Sequence, residues 1–362
     1  MLEFKVFYSK SDAAARLITS FHMLEQDGVI KLQLIDKSGK AGRIPFAEVV
    51  EAEANGKRIA FDMGDRWILS HPENIDYLSK LDAYFARDYS ERESIVTPIV
   101  FRDNPKVQPY GFNYYSSYFG NPALKPAGKA AVLKYCLRYL SGYSRCVRPS
   151  FFECDPVDEP HDARILFMAR LWDPSGIRID PALPESIKQY REYMRDEWDA
   201  INRTRIAVMR MLKKEFGQAF FGGMTESAFA EKECPDLILP KAEVRKKAYL
   251  CRMKRSDICI GTMGLHKSIG WKMGEYVAAA KAIVSEPLEY VLPGDFTEGK
   301  NYLSFSSPEN CCEQVALLYS SPDKRFRMKQ ENHKYYTEYL EPRKQLRNAL
   351  TTAGFTFCAG TE

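Results

Sequence analysis

Short apolar runs that alternate with longer helical patterns are the feature that most constrains the fold of this chain. The first part contains three such runs, FKVFYS, IKLQLID and RIAFDMGD, and the pair Asn55-Gly56 before the last is typical of a tight turn. A second series begins at ARILFMARL and continues through QAFFGG, SDICIGTM, KAIVSE and NYLSFSS, with a long helical pattern over 184–216 and a basic one over 241–255. Apolar strands that alternate with helices predict an α/β fold with parallel sheets.

The length of the chain favours two domains. A chain of 362 residues exceeds one ordinary core and suits two units of about 150 to 200 residues each. The segment over 151–164 is rich in proline and acidic residues and separates the two series of apolar runs. We therefore predict a first domain over 1–155 and a second domain that starts at residue 156, with a cleft between them.

Composition narrows the class of protein. The formal net charge is only +4, so the charge balance does not indicate a nucleic-acid partner. No run of about 18 apolar residues is present, and the N-terminal segment lacks the pattern of a secretory signal. Nine cysteines without a Cys-x-x-Cys pair fit reduced thiols better than a disulfide framework. These features predict a soluble, cytoplasmic protein.

The stretch over 258–286 combines a strand, a glycine-containing loop and a helix. Gly261 and Gly264 loosen the turn, and Ser268 is suited to cap a helix that runs to about Lys281. In α/β folds this arrangement presents a helix N-terminus to an anion. One face of the helix has the spacing of a buried stripe, formed by Ile269, Met273, Tyr276, Val277 and Ala280.

The other face of this helix carries Ser268, Lys272 and Glu275. Backbone N–H groups and Lys272 suit a phosphate at the helix start, whereas Glu275, further along the axis, suits a ligand with hydroxyl groups. A nucleotide with a diphosphate and a ribose meets both demands. The alternative is that Lys272 and Glu275 form an exposed ion pair on a helix whose role is packing.

Several site types are excluded by what the sequence lacks. No two glycines are separated by one residue, which removes the Gly-x-Gly dinucleotide fingerprint, and no Walker loop is present. No two aspartates are separated by one residue, so the short acidic motif of metal-dependent sugar transferases is absent. The five histidines lack metal-ligand spacing, and only His266 lies in a loop of interest. We therefore predict no metal and no cofactor.

Three segments of the second half carry a resemblance to a known family. The stretch over 264–286, the segment PGDFTEGKNYLSFSS and the final NHKYYTEYLEP resemble the donor-binding half of the GT-B glycosyltransferases of group 1, or family 4. The resemblance covers about 164–345. It implies two Rossmann-like domains with parallel sheets facing a central cleft, and a donor domain over 156–335. It also implies that a C-terminal segment over 336–362 contains a helix that packs back on the first domain.

The resemblance also implies roles for single residues. Glu275 matches the glutamate that binds the nucleotide ribose, and Arg170 matches the arginine of the phosphate motif. The chain departs from the family pattern at Ser175, where a lysine is expected, and at Lys267, where a first glutamate is expected. We assign Lys267, Lys272 and Arg170 to the leaving diphosphate, because cations aimed at developing charge stabilise the transition state.

Further residues are assigned to each substrate. We place the donor nucleotide against a set completed by Ser268, Gly270, Trp271, His266 and Gly223. Asp62 and Asp65 follow a predicted strand of the first domain and are candidates for acceptor contact or for a general base. A turn in which an aspartate caps a helix, or in which the two form a solvent-facing pair, explains them at least as well.

Two basic stretches bear on partners. The stretch over 129–148 places Lys129, Lys134 and Arg138 around an apolar stripe, and a second basic stretch covers 241–255. Either suits anionic lipid, although such runs are more commonly solvated helix faces. We expect peripheral membrane contact through 129–148.

The sequence therefore predicts a sugar-nucleotide-dependent glycosyltransferase of the hexosyltransferase type, with a retaining reaction. Its donor is a nucleoside-diphosphate sugar and its acceptor a glycan or a lipid-linked molecule, as in surface polysaccharide or glycoconjugate biosynthesis. A catalytically inactive homologue that binds nucleotide or glycan and serves as an assembly partner is the alternative, which Lys267 and Ser175 keep open.

Overall fold

The structure is a computed structural model in which each half of the chain builds one β-sheet covered by helices. Together the two halves form two Rossmann-like α/β domains, the fold class that the sequence predicts. Within the part of the chain that the structure describes, no helix has the length and apolar character needed to cross a membrane. The described residues are 1–38, 48–64, 75–90, 104–126, 128–141, 144, 146–158 and 162–357.

Within the described residues, the first sheet has six strands. They are Leu2–Tyr8 (β1), Ile30–Asp36 (β2), Val49–Ala54 (β3), Lys57–Asp62 (β4), Ala83–Ala86 (β5) and Val107–Pro109 (β6). Their spatial order is β2-β1-β3-β4-β5-β6, and only β3 runs against the direction of the others. The helices described in this half are Asp12–Gln26 (α1), Ile75–Ser79 (α2) and Lys129–Leu140 (α3).

A hairpin explains the one reversed strand. Asn55 and Gly56 join β3 to β4 with φ angles of 49° and 75°, so the tight turn predicted from the sequence is confirmed. A two-residue turn can only join antiparallel strands. This sheet therefore departs in one strand from the parallel arrangement that the sequence predicts.

The second sheet has five strands, and all neighbours are parallel. They are Ile165–Ala169 (β7), Phe220–Met224 (β8), Ile258–Gly261 (β9), Ala282–Ser285 (β10) and Leu303–Ser304 (β11), in the spatial order β11-β10-β9-β7-β8. The chain goes from β7 to β8 on one side and then crosses to β9 on the other. The strand order therefore reverses between β7 and β9, which makes a topological switch point.

The helices of the second half agree with the sequence pattern in place and kind. The long helix predicted over 184–216 is Glu185–Phe216, which we number α4. The remaining helices are Ala228–Glu233 (α5), Lys246–Arg255 (α6), Trp271–Ala278 (α7), Pro308–Tyr319 (α8), Pro322–Tyr335 (α9) and Pro342–Thr352 (α10), with a π-helical turn at Tyr336–Leu340.

The C-terminal helix α10 returns to the first domain and completes its core. Leu346 and Leu350 are fully buried in the same apolar cluster as Phe4 of β1. At the edge of this contact the guanidinium Nε of Arg343 lies 2.6 Å from the carboxylate of Asp27. Helix α10 thus shares one apolar core with β1 of the first domain.

The two domains also meet beside α7. A Cβ added at Gly274 of α7 would lie 2.6 Å from the carbonyl oxygen of Asn113, so only glycine allows this approach. The buried guanidinium of Arg87 donates from Nη1 to the carbonyl oxygen of Ile269 at 3.0 Å. Residues of the first domain therefore fix the position of α7 and of the loop before it.

We expect α10 to be part of the folding unit of the first domain. Leu350→Ala should lower the free energy of unfolding by about 2 to 5 kcal/mol, because it removes fully buried apolar volume. Leu317→Ala is the matched control, since Leu317 is 40% exposed. Denaturant unfolding of both variants measures the difference. Equal and small losses in the two variants would show that α10 is not part of this core.

Candidate active site

A cavity of about 1450 Å³ opens at the switch point of the second sheet. The residues that follow β7 and β9 line it, and residues of the first domain line its other side. Ligands of open parallel α/β sheets bind outside the carboxyl ends of the strands at such a point. The topology alone therefore indicates this cavity as the binding site.

The loop between β9 and α7 forms a tight turn before the helix begins. The N–H of Gly264 donates to the carbonyl oxygen of Ser268 at 2.7 Å, and a Cβ at Gly264 would lie only 2.6 Å from Ser268 Oγ. His266 and Lys267 between them have φ angles of 55° and 59°. The residues that the sequence assigns to the start of the helix therefore belong to this turn.

The helix therefore begins later than the sequence predicts. Gly270 is the N-cap of α7 and Ser268 lies before it, so the prediction that Ser268 caps the helix is wrong. The helix also ends at Ala278 rather than Lys281, because Ala280 takes a left-handed φ of 50°. Ser268, Gly270 and Trp271 nevertheless all line the cavity.

Lys272 and Glu275 both line the cavity but do not form the exposed pair that the sequence leaves open. Lys272 Nζ donates to the backbone carbonyl of Met168, at the end of β7. Glu275 is 1% exposed, and its Oε1 accepts from Lys246 Nζ at 2.5 Å. Glu275 is thus a buried carboxylate held by a lysine of α6, a partner that the sequence analysis missed.

Burial lowers the pKa of two cations at this site. The pKa of Lys272 is lowered to about 8, chiefly by loss of hydration; Glu275 opposes this shift, and the neighbouring cations Arg205, Lys246 and Arg170 add to it. Burial likewise lowers the pKa of Arg205 to about 10. Among the described residues, the cations on this part of the cavity wall outnumber its one carboxylate, Glu275, and this excess of positive charge favours an anionic ligand.

Arg205 ties together the two loops that flank the switch point. Its Nη1 donates to the carbonyl of Arg170 at 2.7 Å, its Nε to Thr262 Oγ1 at 3.0 Å and its Nη2 to the carbonyl of Met263 at 3.1 Å. Arg170 itself packs over the ring of Trp172 at 4.0 Å. Arg205 comes from the long helix α4, where no local sequence pattern marks it.

Four of the predicted residues do not line the cavity. Lys267 Nζ lies 2.8 Å from Glu289, and the ring of His266 is buried with Nε2 3.2 Å from the hydroxyl of Tyr190. A Cβ at Gly223 would lie 2.5 Å from the carbonyl of Leu237, so this glycine serves close packing. The fourth residue is Asp62.

Asp62 is the last residue of β4 in the first domain. Its carboxylate accepts from the hydroxyl of Tyr84 at 2.6 Å and from the N–H of Gly64 at 3.0 Å. The bond to the N–H two residues further on fits the turn that the sequence leaves open as the alternative, but Asp62 is only 4% exposed and so does not belong to a solvent-facing pair. Asp65 lies outside the described residues.

The first domain contributes side chains that the sequence analysis does not select as site residues. Asp12, in the first turn of α1, lines the cavity, as do Tyr115, Lys134 and Arg138. Tyr115 packs against Trp271 with ring centroids 4.1 Å apart, which joins the two domains at the cavity wall. Ser11 caps α1 directly after β1, and this strand-to-helix step was the available signal for Asp12.

Within the described residues, no group of three or more histidine, cysteine or acidic side chains is arranged to hold a metal ion. Independence from metal and from any cofactor stays a prediction.

No protein-family model matches the sequence, and no curated protein matches it. Among solved structures, the chain is similar to a glycosyltransferase from Rickettsia africae ESF-5, with 12% identity, a TM-score of 0.46 and coverage of 93% of this chain and 80% of that one. An α1,3-fucosyltransferase is similar at 10% identity and a TM-score of 0.41, with coverage of 98% of this chain and 90% of that one. A UDP-GlcNAc 2-epimerase from Neisseria meningitidis has 11% identity and a TM-score of 0.37, with coverage of 95% of this chain and 98% of that one.

These similarities concern the arrangement of the chain and carry no argument about its activity. The fold and the cavity define an α/β protein of two Rossmann-like domains with a basic site at a switch point.

The ion pair between Lys246 and Glu275 provides a test of the site's architecture. Lys246→Met should lower the free energy of unfolding by about 3 to 5 kcal/mol, because it leaves a buried carboxylate without its cation. The double variant Lys246→Met with Glu275→Gln removes both charges and should recover most of that loss. Denaturant unfolding provides the measurement. A single variant as stable as the parent would mean that Glu275 is not held in this way.

Proposed function

We propose that this protein is a glycosyltransferase that moves a sugar from a nucleoside-diphosphate sugar to an acceptor bound on the side of the first domain. The observation that carries the proposal is the cavity at the switch point. There the start of α7, two cations and a buried carboxylate face the same space. The resemblance of 264–286 to the donor site of the GT-B family supports the same assignment.

The cavity suits the two polar parts of such a donor. A diphosphate at the start of α7 would meet backbone N–H groups, the Lys272 ammonium and the Arg170 guanidinium. Glu275 lies three residues after Lys272, about 4.5 Å further along the axis. One of its carboxylate oxygens already accepts from Lys246, and a carboxylate has further lone pairs for the hydroxyl groups of a ribose.

The same residues explain how transfer would be accelerated. Negative charge develops on the diphosphate as the bond to the sugar breaks, and fixed cations stabilise that charge most in a site with little water. We assign this role to Lys272 and Arg170, and Arg205 holds the loop that carries Arg170. Lys267, whose ammonium lies beside Glu289, is not placed on the cavity wall and we leave it out of this set.

We further propose that the sugar keeps its anomeric configuration and that no divalent metal takes part. Arg170 and Lys272 supply the charge that a metal would otherwise supply to the leaving group. Asp12, the first domain's carboxylate on the described cavity wall, would then orient the acceptor hydroxyl. Proton NMR of the product tests whether the anomeric configuration is retained. An inverted anomeric centre would assign Asp12 the role of general base instead.

Helix α3 supports a proposal about where the enzyme works. Leu133, Leu137 and Leu140 are 62%, 61% and 63% exposed, and their spacing puts them on one face of the helix. An exposed apolar stripe on a basic helix suits an anionic bilayer surface. We propose that the protein contacts the cytoplasmic face of a membrane through α3 while it acts on a glycan or a lipid-linked acceptor of glycoconjugate synthesis.

Nucleotide binding and its pH dependence test the donor site. Protein treated with EDTA should bind at least one of UDP, GDP, CDP and ADP. The affinity should fall as the pH rises from about 8 to 9.5, because Lys272 has a lowered pKa of about 8 in the free protein and must then take up a proton to pair with the diphosphate.

Lys272→Met is the matched variant for this measurement. It should bind about tenfold more weakly at pH 7.5 and lose the fall in affinity above pH 8, since one charge-assisted contact is removed. Titration calorimetry in two buffers of different ionisation enthalpy also counts the protons taken up. Absence of binding without metal, or an unchanged pH profile in Lys272→Met, would contradict the proposed donor site.

Vesicle flotation tests the membrane contact. The parent protein should float with vesicles that contain phosphatidylglycerol and stay behind with pure phosphatidylcholine. Leu137→Asn should reduce the bound fraction several-fold, because it places a polar group in the apolar face. Leu317→Asn changes an exposed leucine of α8 and is the control. Equal flotation of both variants would exclude α3 as the contact.

A further inference from the structure

The cations of the cavity fall into two sectors. The second domain supplies Arg170, Arg205, Arg245, Lys246 and Lys272, and the first domain supplies Lys134 and Arg138 of α3. Against these seven cations, the described cavity wall contains two carboxylates, Asp12 and Glu275. The cavity thus has more positive charge than its own acidic groups neutralise.

The sector on the second domain is largely engaged within the protein. Lys246 pairs with Glu275, Lys272 donates to a carbonyl, and Arg205 makes three hydrogen bonds to the loops. The diphosphate of the proposed donor would neutralise the positive charge that remains there. This sector therefore needs no second anion.

The sector on α3 differs because its two charged side chains lack such contacts within the described residues. Lys134 and Arg138 are exposed, and neither side chain forms an ion pair or a hydrogen bond with any residue in the described part of the chain. They stand one helical turn apart, at i and i+4, where two like charges are unfavourable neighbours. Two neighbouring cations on a cavity wall can bind one oxyanion through two charge-assisted contacts.

The position of this pair separates it from the exposed leucines of the same helix. Ala131, Lys134, Tyr135 and Arg138 form the face of α3 that lines the cavity. Leu133, Leu137 and Leu140 lie on another face. The helix thus directs charge into the cavity and apolar side chains away from it.

We propose that the acceptor carries a phosphate group and that Lys134 and Arg138 bind it on the first-domain wall of the cavity. This inference rests on the proposed transferase function and names the class of its second substrate. The phosphate belongs either to a lipid headgroup or to a soluble phosphorylated glycan, and both sources present the same oxyanion to α3.

Calorimetric titration with three probes tests the proposal. Glycerol 3-phosphate supplies the phosphate alone, dihexanoyl phosphatidic acid below its micelle concentration supplies phosphate with acyl chains, and glycerol supplies neither. The protein is first saturated with the nucleoside diphosphate that it binds best, so that the donor sector is filled. Both phosphate probes should bind, and glycerol should not.

Two double variants that remove the same charge test whether the phosphate probes bind at α3. Lys134→Gln with Arg138→Gln should weaken both phosphate probes by at least about tenfold, since two charge-assisted contacts are lost. Lys214→Gln with Lys334→Gln removes the same charge from exposed positions off the cavity wall and should change neither affinity. Melting temperatures of both variants serve as the folding control.

Each outcome decides the proposal. If the phospholipid binds much more tightly than glycerol 3-phosphate, the proposal stands with a lipid source, and similar affinities support a soluble acceptor. Equal effects of the two double variants, or no binding of either phosphate at millimolar concentration, would overturn it. If no nucleoside diphosphate binds, the proposed donor site fails separately. The α3 pair is then tested in Arg170→Gln with Lys272→Met, which removes the two cations assigned to the donor diphosphate.

Discussion

The site depends first on the buried guanidinium of Arg205. It crosses from α4 to the switch point and donates to the loops after β7 and β9. These loops come from strands that are adjacent in the sheet but about 90 residues apart in the chain, so Arg205 links segments that are distant in the sequence. Burying a charge is unfavourable unless hydrogen bonds satisfy it, and the three bonds of Arg205 meet that condition. The positions of Arg170 and of the loop before α7 follow from this contact.

A second constraint places the two domains relative to α7. Gly274 allows the backbone at Asn113 to approach the helix, and Arg87 holds the carbonyl of Ile269 just before the helix starts. The first domain therefore fixes the end of α7 that we assign to the diphosphate. This explains why one cavity receives side chains from both domains. It also explains how an acceptor bound to α3 would face a donor bound to α7.

Much of the fold could be predicted from the sequence because its signals are local. The strand IKLQLID corresponds to β2, the long helical pattern to α4, and the Asn55-Gly56 pair to the β3–β4 turn. Apolar periodicity and turn residues act within a few positions, so they are visible without a structure. The start of α7 was misplaced because the Gly264–Ser268 turn competes with helix capping at Ser268.

The chemistry of the site was only partly predictable. Arg170, Lys272 and Glu275 stand in or beside recognisable motifs, and all three line the cavity. The ion pair of Glu275 with Lys246 and the cavity position of Arg205 arise from contacts between distant segments, which no spacing in the sequence reveals. For Lys267, a contact within the folded protein overrides the role that the sequence suggests. Its place in the motif region suggested a role at the diphosphate, but the turn directs its side chain to Glu289.

The most direct test of the account is a crystal structure of the protein with the nucleoside diphosphate that it binds best. The account predicts the diphosphate at the start of α7, with its oxygens within hydrogen-bonding distance of Lys272 and Arg170, and the ribose hydroxyls on Glu275. A nucleotide bound elsewhere, or a diphosphate that leaves α7 and Lys272 without contact, would contradict it.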